Sequence, residues 1–365
     1  MSSSFTRRGL LASVTSLALA GSTGCLQQIG FERRSAWRDP PLASDRPDGV
    51  YIPAITEGMG MYGQTTAGRY GVALMYSYPH RFWTLAGQEN QKTPVEPDDD
   101  IHLMAALWDK KSNQPLPIDS GVTISVRRDG ELITQEVAYP MISQQMGLHY
   151  GSNYSLNGEG EYTAQISIGG MSFYRSGSFA DAFESATTAI IPFTFTIDKL
   201  YDISIEEPKD GGTPGAIDPV SMSGVPIGQA PSIDAFPGHH AGTVVTDDAH
   251  LEVFVMTQER SERDTETPYL IVSARTPYNN IILPMMQLET TISQNEASIT
   301  TKTLTRTLDP DLGYHYGASI PNLTQLSDEL MLEIKTTIPP QIARHDGYET
   351  AFMNMDPVSL PLQIK

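Results

Sequence analysis

Imidazole and thioether groups are concentrated at a few places in this chain, which carries 8 His and 15 Met but a single Cys. The stretch Pro140-Met141-Ile142-Ser143-Gln144-Gln145-Met146-Gly147-Leu148-His149-Tyr150-Gly151 brings two Met and one His close in sequence, and His102 stands in a separate apolar run, Ile101 to Trp108. Imidazole nitrogen and thioether sulfur are neutral, fairly soft donors that suit Cu(I) well and Fe(II) less well. A loop holding Met141, Met146 and His149 could close over a cation held by His102, with Met104 as a further sulfur. The same residues also fit ordinary structure, with Met filling core gaps and His bonded to tyrosines or backbone. Other chemistry is poorly represented. The chain has no G-x-S-x-G, no H-E-x-x-H and no phosphate-binding G-x-x-x-x-G-K-[ST], so no enzyme is expected. Gly58-Met59-Gly60-Met61-Tyr62-Gly63 matches G-x-G-x-x-G, but Gln64-Thr65-Thr66-Ala67-Gly68 opens no helix after it, and the segment reads as a turn.

The elements that must position these groups read as strands. Between Val50 and about Asp198, short apolar or alternating runs recur at Tyr70 to Tyr78, Ile101 to Trp108, Val122 to Val126, Glu161 to Ile168 and Ile190 to Ile197. They are rich in β-branched and aromatic residues, and Arg128-Asp129-Gly130-Glu131 makes a hairpin turn. No long segment has helical periodicity, so the expected fold is an antiparallel β-sandwich over residues 50–198. Residues 199–243, with many Pro, Gly, Ser and Asp, read as a linker, and residues 244–365 as a second strand-rich region.

The two regions look like copies. Leu116-Pro117 through His149-Tyr150-Gly151 matches Leu283-Pro284 through His315-Tyr316-Gly317, with Thr123-Ile124-Ser125 and Thr291-Ile292-Ser293 near the middle. Fourteen positions before each Leu-Pro stand His102 and Tyr269, and beyond each His-Tyr-Gly, Arg175 leads to Ala182-Phe183 as Arg344 leads to Ala351-Phe352. A tandem duplication of one sandwich accounts for all of these.

The ends and the charge suggest a location. Arg7-Arg8, an apolar run from Gly9 to Ala20 and Gly21-Ser22-Thr23-Gly24-Cys25 describe a twin-arginine export signal (residues 1–24) with Cys25 as the lipid acceptor of a tether over residues 25–48. The expected place is the outer face of a cell membrane. Asn153-Tyr154-Ser155 and Asn322-Leu323-Thr324 are glycosylation sequons. Among the 365 residues, 24 are basic and 43 acidic, giving a formal charge of −19. That balance argues against nucleic acid as a partner and resembles a surface kept soluble at high salt.

Pro140-Met141, Gly147 and His149-Tyr150-Gly151, followed by the strand from Gly160 to Ile168, resemble the periplasmic iron-transport family, most closely a haloarchaeal type with an added related C-terminal domain. The resemblance implies immunoglobulin-like, often lipid-anchored extracytoplasmic proteins that bind copper or iron near a dimer interface and serve an iron permease. It also implies His102, Met141 and His149 as metal ligands. Three departures stand out: Met104 replaces a Glu, Met146 an Asp, and Ser176 occupies the place of a later His. Exchanging two carboxylates for thioethers moves the expected preference from Fe(II) towards Cu(I). The second repeat keeps His315 and His345, with Tyr269 in place of the first His and the Met position near Leu308. His315 and His345, helped by Asp309, Asp311, Met285 or Met286, are the candidates for a weaker second site, and a purely structural second domain is the alternative. His80 is expected to pack at a strand end, with a transfer ligand near the site as the alternative, and His239-His240 to be exposed in the linker. The functional expectation is a membrane-anchored protein that captures a copper or iron ion for a permease. The alternative is a surface interaction module that has lost its metal.

Overall fold

A computed structural model describes residues 40–257, 267–321, 323 and 330–362. Arg7-Arg8, Cys25 and Asn322 lie outside the described residues. The N-terminal half contains β1 (Thr56–Glu57), β2 (Gly60–Ala67), β3 (Tyr70–Ser77), β4 (Phe82–Ala86), β5 (Glu89–Thr93), β6 (Ile101–Asp109), β7 (Val122–Arg128), β8 (Glu131–Ser143), β9 (Gly147–Tyr154), β10 (Gly160–Ile168), β11 (Tyr174–Arg175) and β12 (Thr187–Phe195). A short helix, α1 (Ile197–Tyr201), and β13 (Ile205–Glu206) lead to the C-terminal half. That half contains β14 (His239–Thr246), β15 (Ala249–Met256), β16 (Tyr269–Arg275), β17 (Gln287–Gln294), β18 (Ala297–Thr303), β19 (Thr305–Asp309), β20 (Gly313–Ser319), β21 (Leu330–Ile338), β22 (Ala343–Arg344) and β23 (Val358–Leu362).

Each half is a β-sandwich. In the first, β12-β10-β7-β8 form one layer and β8-β9-β6-β3-β2 the other. The long β8 serves both, pairing with β7 through Ala138 and with β9 from Tyr139 onward. The turn between β7 and β8 has Asp129 at φ 51° and Gly130 at φ 85°, the two positive dihedrals that a tight hairpin demands. In the second, β18-β17-β21-β23 face β19-β20-β16-β15-β14, and Leu304 interrupts what is one strand in the first half. Strands with one face on the core alternate as the pleat requires: Tyr162, Ala164, Ile166 and Ile168 of β10 are buried, with Glu161, Thr163, Gln165 and Ser167 between them more exposed. By contrast β3 and β6 are buried along their whole length, because both faces of that layer are covered. Each fully buried Leu or Ile, such as Leu74, Leu103 and Ile124, contributes roughly 1.5–3 kcal/mol of apolar transfer.

The repeat seen in the sequence extends to single hydrogen bonds. Tyr150 donates its hydroxyl to the Leu116 carbonyl at 2.8 Å, and Tyr316 donates to the Leu283 carbonyl at 2.8 Å. Phe183 and Phe352 both take the left-handed backbone, at φ 64° and 61°. The short strand after each sandwich's β10-type strand crosses to the other sandwich. Thus β11 runs parallel to β19, and β22 runs parallel to β8 while also pairing with β4.

Three local expectations are corrected. Gly60 to Gly63 belong to β2 rather than a turn, and Gly60 lacks a Cβ because the Tyr76 ring lies across it. His239 and His240 already belong to β14 and are half-buried; His240 meets Glu252 at 2.8 Å, so the linker ends earlier than residue 243. Residues 40 and 46, within the segment expected to be a tether, are docked: Arg81 donates to the Pro40 carbonyl, and Arg46 pairs with Glu349 at 2.9 Å.

Candidate metal centre

The outer face of the β8-β9-β6-β3 layer carries the chemistry. On β6, His102 and Met104 point to the same side, paired in register with Ser77 and Met75 of β3 and with Asn153 and Gly151 of β9. On β9, His149 stands opposite Met141 of β8. The crossing strand β22 lies against Met141 and Ile142, and the next residue, His345, donates its backbone N–H to the Ile142 carbonyl at 3.2 Å. Arg344 anchors the crossing. It is fully buried, with Nη1 on the Met353 sulfur at 3.0 Å and Nη2 donating to the Phe352 carbonyl at 3.2 Å.

Four histidines meet there. Ring nitrogens of His80, His102 and His345 lie within 4.8 Å of one another. The ring of His345 is 4.9 Å from that of His80 and 5.2 Å from that of His149, and the tilted rings of His80 and His102 lie 4.0 Å apart. Met141 joins them: a Cβ placed on Gly151 would lie 2.8 Å from His102 Nε2 and 3.3 Å from Met141 Sδ, so both atoms fill the space this glycine leaves.

The proton positions follow from the partners. His80 Nδ1 faces the Tyr78 carbonyl at 2.9 Å and His149 Nδ1 the Gly147 carbonyl at 3.0 Å. A carbonyl only accepts, so each Nδ1 carries the hydrogen. Asn153 donates its Nδ2 to the His80 carbonyl at 3.1 Å, which turns its Oδ1 towards His102 Nδ1 at 2.8 Å. The Asn153 side chain is therefore engaged between two histidines, a poor position for a glycan. In these three rings the lone pair is on Nε2. The Nε2 atoms of His80, His102, His149 and His345 are all buried with no hydrogen-bond partner among the described residues. Leaving a buried polar atom unsatisfied costs about 1–3 kcal/mol, and coordination of a cation would offset that cost.

Burial keeps His102, His149 and His345 neutral. Burial, then the neighbouring His80 ring, holds His102 well below the ordinary imidazole range. Burial lowers His149 to about 4, and burial followed by the surrounding imidazoles lowers His345. Neutral imidazole is the form that ligates. An ion pair fastens two of the rings from outside: Arg81, next to His80, meets Asp346, next to His345, through Nη2–Oδ2 at 2.6 Å and Nε–Oδ1 at 3.2 Å. Glu57 lies 3.6 Å from His80 Nδ1.

A cavity of about 100 Å³ opens beside the cluster, lined by His80, His149 and His345, by Met59, Met104 and Met146, and by Glu57 and Asp346 among others. Met146 thus faces the cavity with Met104, whereas Met141 packs with Phe82 and Ala343 beside His102.

The expected second site is not assembled. His345 belongs to the first cluster, and His315 instead accepts the Tyr269 hydroxyl on Nε2 at 3.2 Å. Register places Thr307, not Leu308, opposite His315, as Met141 stands opposite His149. Ser176 is the partner of His345 under this exchange: it donates N–H to the Leu308 carbonyl at 3.0 Å and its hydroxyl to Asp309 at 2.6 Å. Asp309 also accepts from the backbone of Asp311 and Leu312, at 2.9 and 3.0 Å, and Met286 is buried in the main core with Met285 against it. His80, expected to pack at a strand end, is instead one of the four rings. That is closer to the alternative reading of His80 as a ligand near the site, although its sequence signal was only a His beside a strand end, in Pro79-His80-Arg81.

A family described as a domain of unknown function, DUF7350, matches residues 234–361. No curated protein matches the chain. Similar solved structures include as-isolated FetP of uropathogenic E. coli, 17% identical with TM-score 0.29, covering 38% of this chain and 96% of that one. A copper-bound glutamate-to-glutamine variant of FetP gives 17% and 0.29, covering 38% and 97%. A copper-bound methionine-to-isoleucine variant of Campylobacter jejuni P19 gives 16% and 0.27, covering 37% and 96%.

Proposed function

We propose that this protein binds a copper ion reversibly where the two sandwiches cross, through His80, His102, His149 and His345 with Met141. The observation that supports this most is the set of four buried Nε2 atoms with no hydrogen-bond partner among the described residues, two of them from crossing or connecting segments. An imidazole-rich set with a thioether suits copper better than Fe(II), which prefers carboxylate and water oxygen as well. Because one chain supplies both His149 and His345, a monomer suffices for the site.

Arg7-Arg8 and Cys25 support export in the folded state and lipid anchoring at the outer face of the membrane. In that location the protein would hold the ion for a membrane permease. The test is titration of the full chain with copper under ligand competition. One tightly held equivalent is expected, lost in a His102→Ala/His149→Ala variant. Equal binding by that variant, or none by the wild type, removes the proposal.

A further inference from the structure

We propose that the cavity beside the histidines is a second, softer site, in which Met59, Met104 and Met146 take Cu(I) before it reaches the imidazoles. This rests on the histidine reading above and adds an oxidation state and a second ion to it.

Three observations carry the inference. First, Met59, Met104 and Met146 line the same cavity of about 100 Å³ as His80, His149 and His345, so these methionines, though packed in one apolar cluster, also border open space. Second, Met104 and Met146 are 3% and 5% exposed and touch within one cluster that includes Met75, while the half-buried Met59 and Met222 pack against it. The sulfurs therefore grade from the partly exposed rim to the buried wall. Third, Met141 is held apart, against Phe82 and Ala343 next to His102, so the histidine site has its own sulfur and does not need these.

The chemistry selects the ion. Thioethers carry no charge and are weak ligands for hard or borderline divalent ions, yet they bind Cu(I) and Ag(I) well. A wall of neutral sulfur leading to neutral nitrogen lets a monovalent soft cation move inward without a proton leaving any ligand. Segment 217–229 covers this face: Ile217 lines the cavity, and the Val220 N–H donates to the Gln145 carbonyl at 2.9 Å.

Titration of the full chain with Ag(I), a redox-inert stand-in for Cu(I), and separately with Co(II) distinguishes the sites. Two equivalents of Ag(I) and one of Co(II) are expected. A Met59→Leu/Met104→Leu/Met146→Leu variant, nearly isosteric, should lose one Ag(I) while its Co(II) affinity stays within about twofold. His102→Ala/His149→Ala should lose Co(II) and retain one Ag(I). A wild type that takes a single Ag(I), or a triple variant that still takes two, overturns the second site. A wild type that binds no Co(II) or copper instead overturns the histidine reading, whatever the Ag(I) count. Copper-edge X-ray absorption of the fully Cu(I)-loaded wild type needs no variant. About two sulfurs per copper support the proposal, and one sulfur per copper or fewer, all that Met141 would supply to a single bound ion, overturns it.

Discussion

The two sandwiches present the same five positions with different chemistry. His102, Met141, His149, Gly151 and the incoming His345 of the first correspond to Tyr269, Thr307, His315, Gly317 and the incoming Ser176 of the second. The backbone is the same in both: Nδ1 of His149 and of His315 each bond the carbonyl two residues back, at 3.0 and 3.1 Å. The glycines are required for parallel reasons, since a Cβ at Gly151 would press on His102 and one at Gly317 would collide with the Tyr269 hydroxyl. Only the side chains decide the outcome. Where the second sandwich closes its position with a Tyr–His and a Ser–Asp hydrogen bond, the first leaves four buried Nε2 atoms without a hydrogen-bond partner among the described residues. A hydrogen-bonded pocket stabilises the fold unaided, whereas the unsatisfied imidazoles are completed, under the function proposed above, by a cation.

Acid should separate the halves most strongly. Between pH about 6.5 and about 4 an unfolded chain binds protons that buried His149, His102 and His345 refuse, so the metal-free fold loses stability as pH falls through that window. His149 alone accounts for on the order of 3 kcal/mol. Chemical denaturation from pH 7.5 to 4.5 should show this loss, and His102→Ala/His149→Ala should flatten it; an equally steep curve in the variant would contradict the assignment.

Removing one crossing residue comes next. His345→Ala should weaken copper binding by at least about a hundredfold, roughly 2.7 kcal/mol. His315→Ala should leave it within twofold while lowering the melting temperature. Comparable losses from both would break the asymmetry between the sandwiches.

Arg81→Ala tests whether the clamp on Asp346 matters. About tenfold weaker copper binding is expected, as for other residues that position a ligand from outside, with competition titration as the readout. The smallest effect belongs to the closed pocket: Tyr269→Phe removes one hydrogen bond to His315 and should cost about 1 kcal/mol with no change in copper affinity.

Much of the fold was legible in the sequence because alternation and duplication are local patterns. The strand from Glu161 to Ile168, the hairpin at Asp129-Gly130 and the repeated His-Tyr-Gly of two matching strands needed only period-two burial, turn chemistry and self-similarity. Gly58 to Gly63 misled, because glycines in a strand under a Tyr ring look like glycines in a turn. The candidate site was half visible. His102, Met141 and His149 share a sheet face whose register follows from the strand pattern, but His80 sits in a connection with no periodicity to place it. The thioethers were misgrouped for a related reason: Met141 and Met146 are neighbours in the chain, yet β8 ends between them and they face different surroundings.

By itself the sequence determined two similar sandwiches, an imidazole and thioether set on one of them, and the loss of the matching His at position 269. Tertiary structure alone decided that His345 joins the first sandwich and Ser176 the second. The reason is physical: β11 and β22 are two-residue strands whose partners lie across the junction between sandwiches, 133 positions away for Ser176 and Asp309, and no local pattern in the chain specifies a pairing at that range.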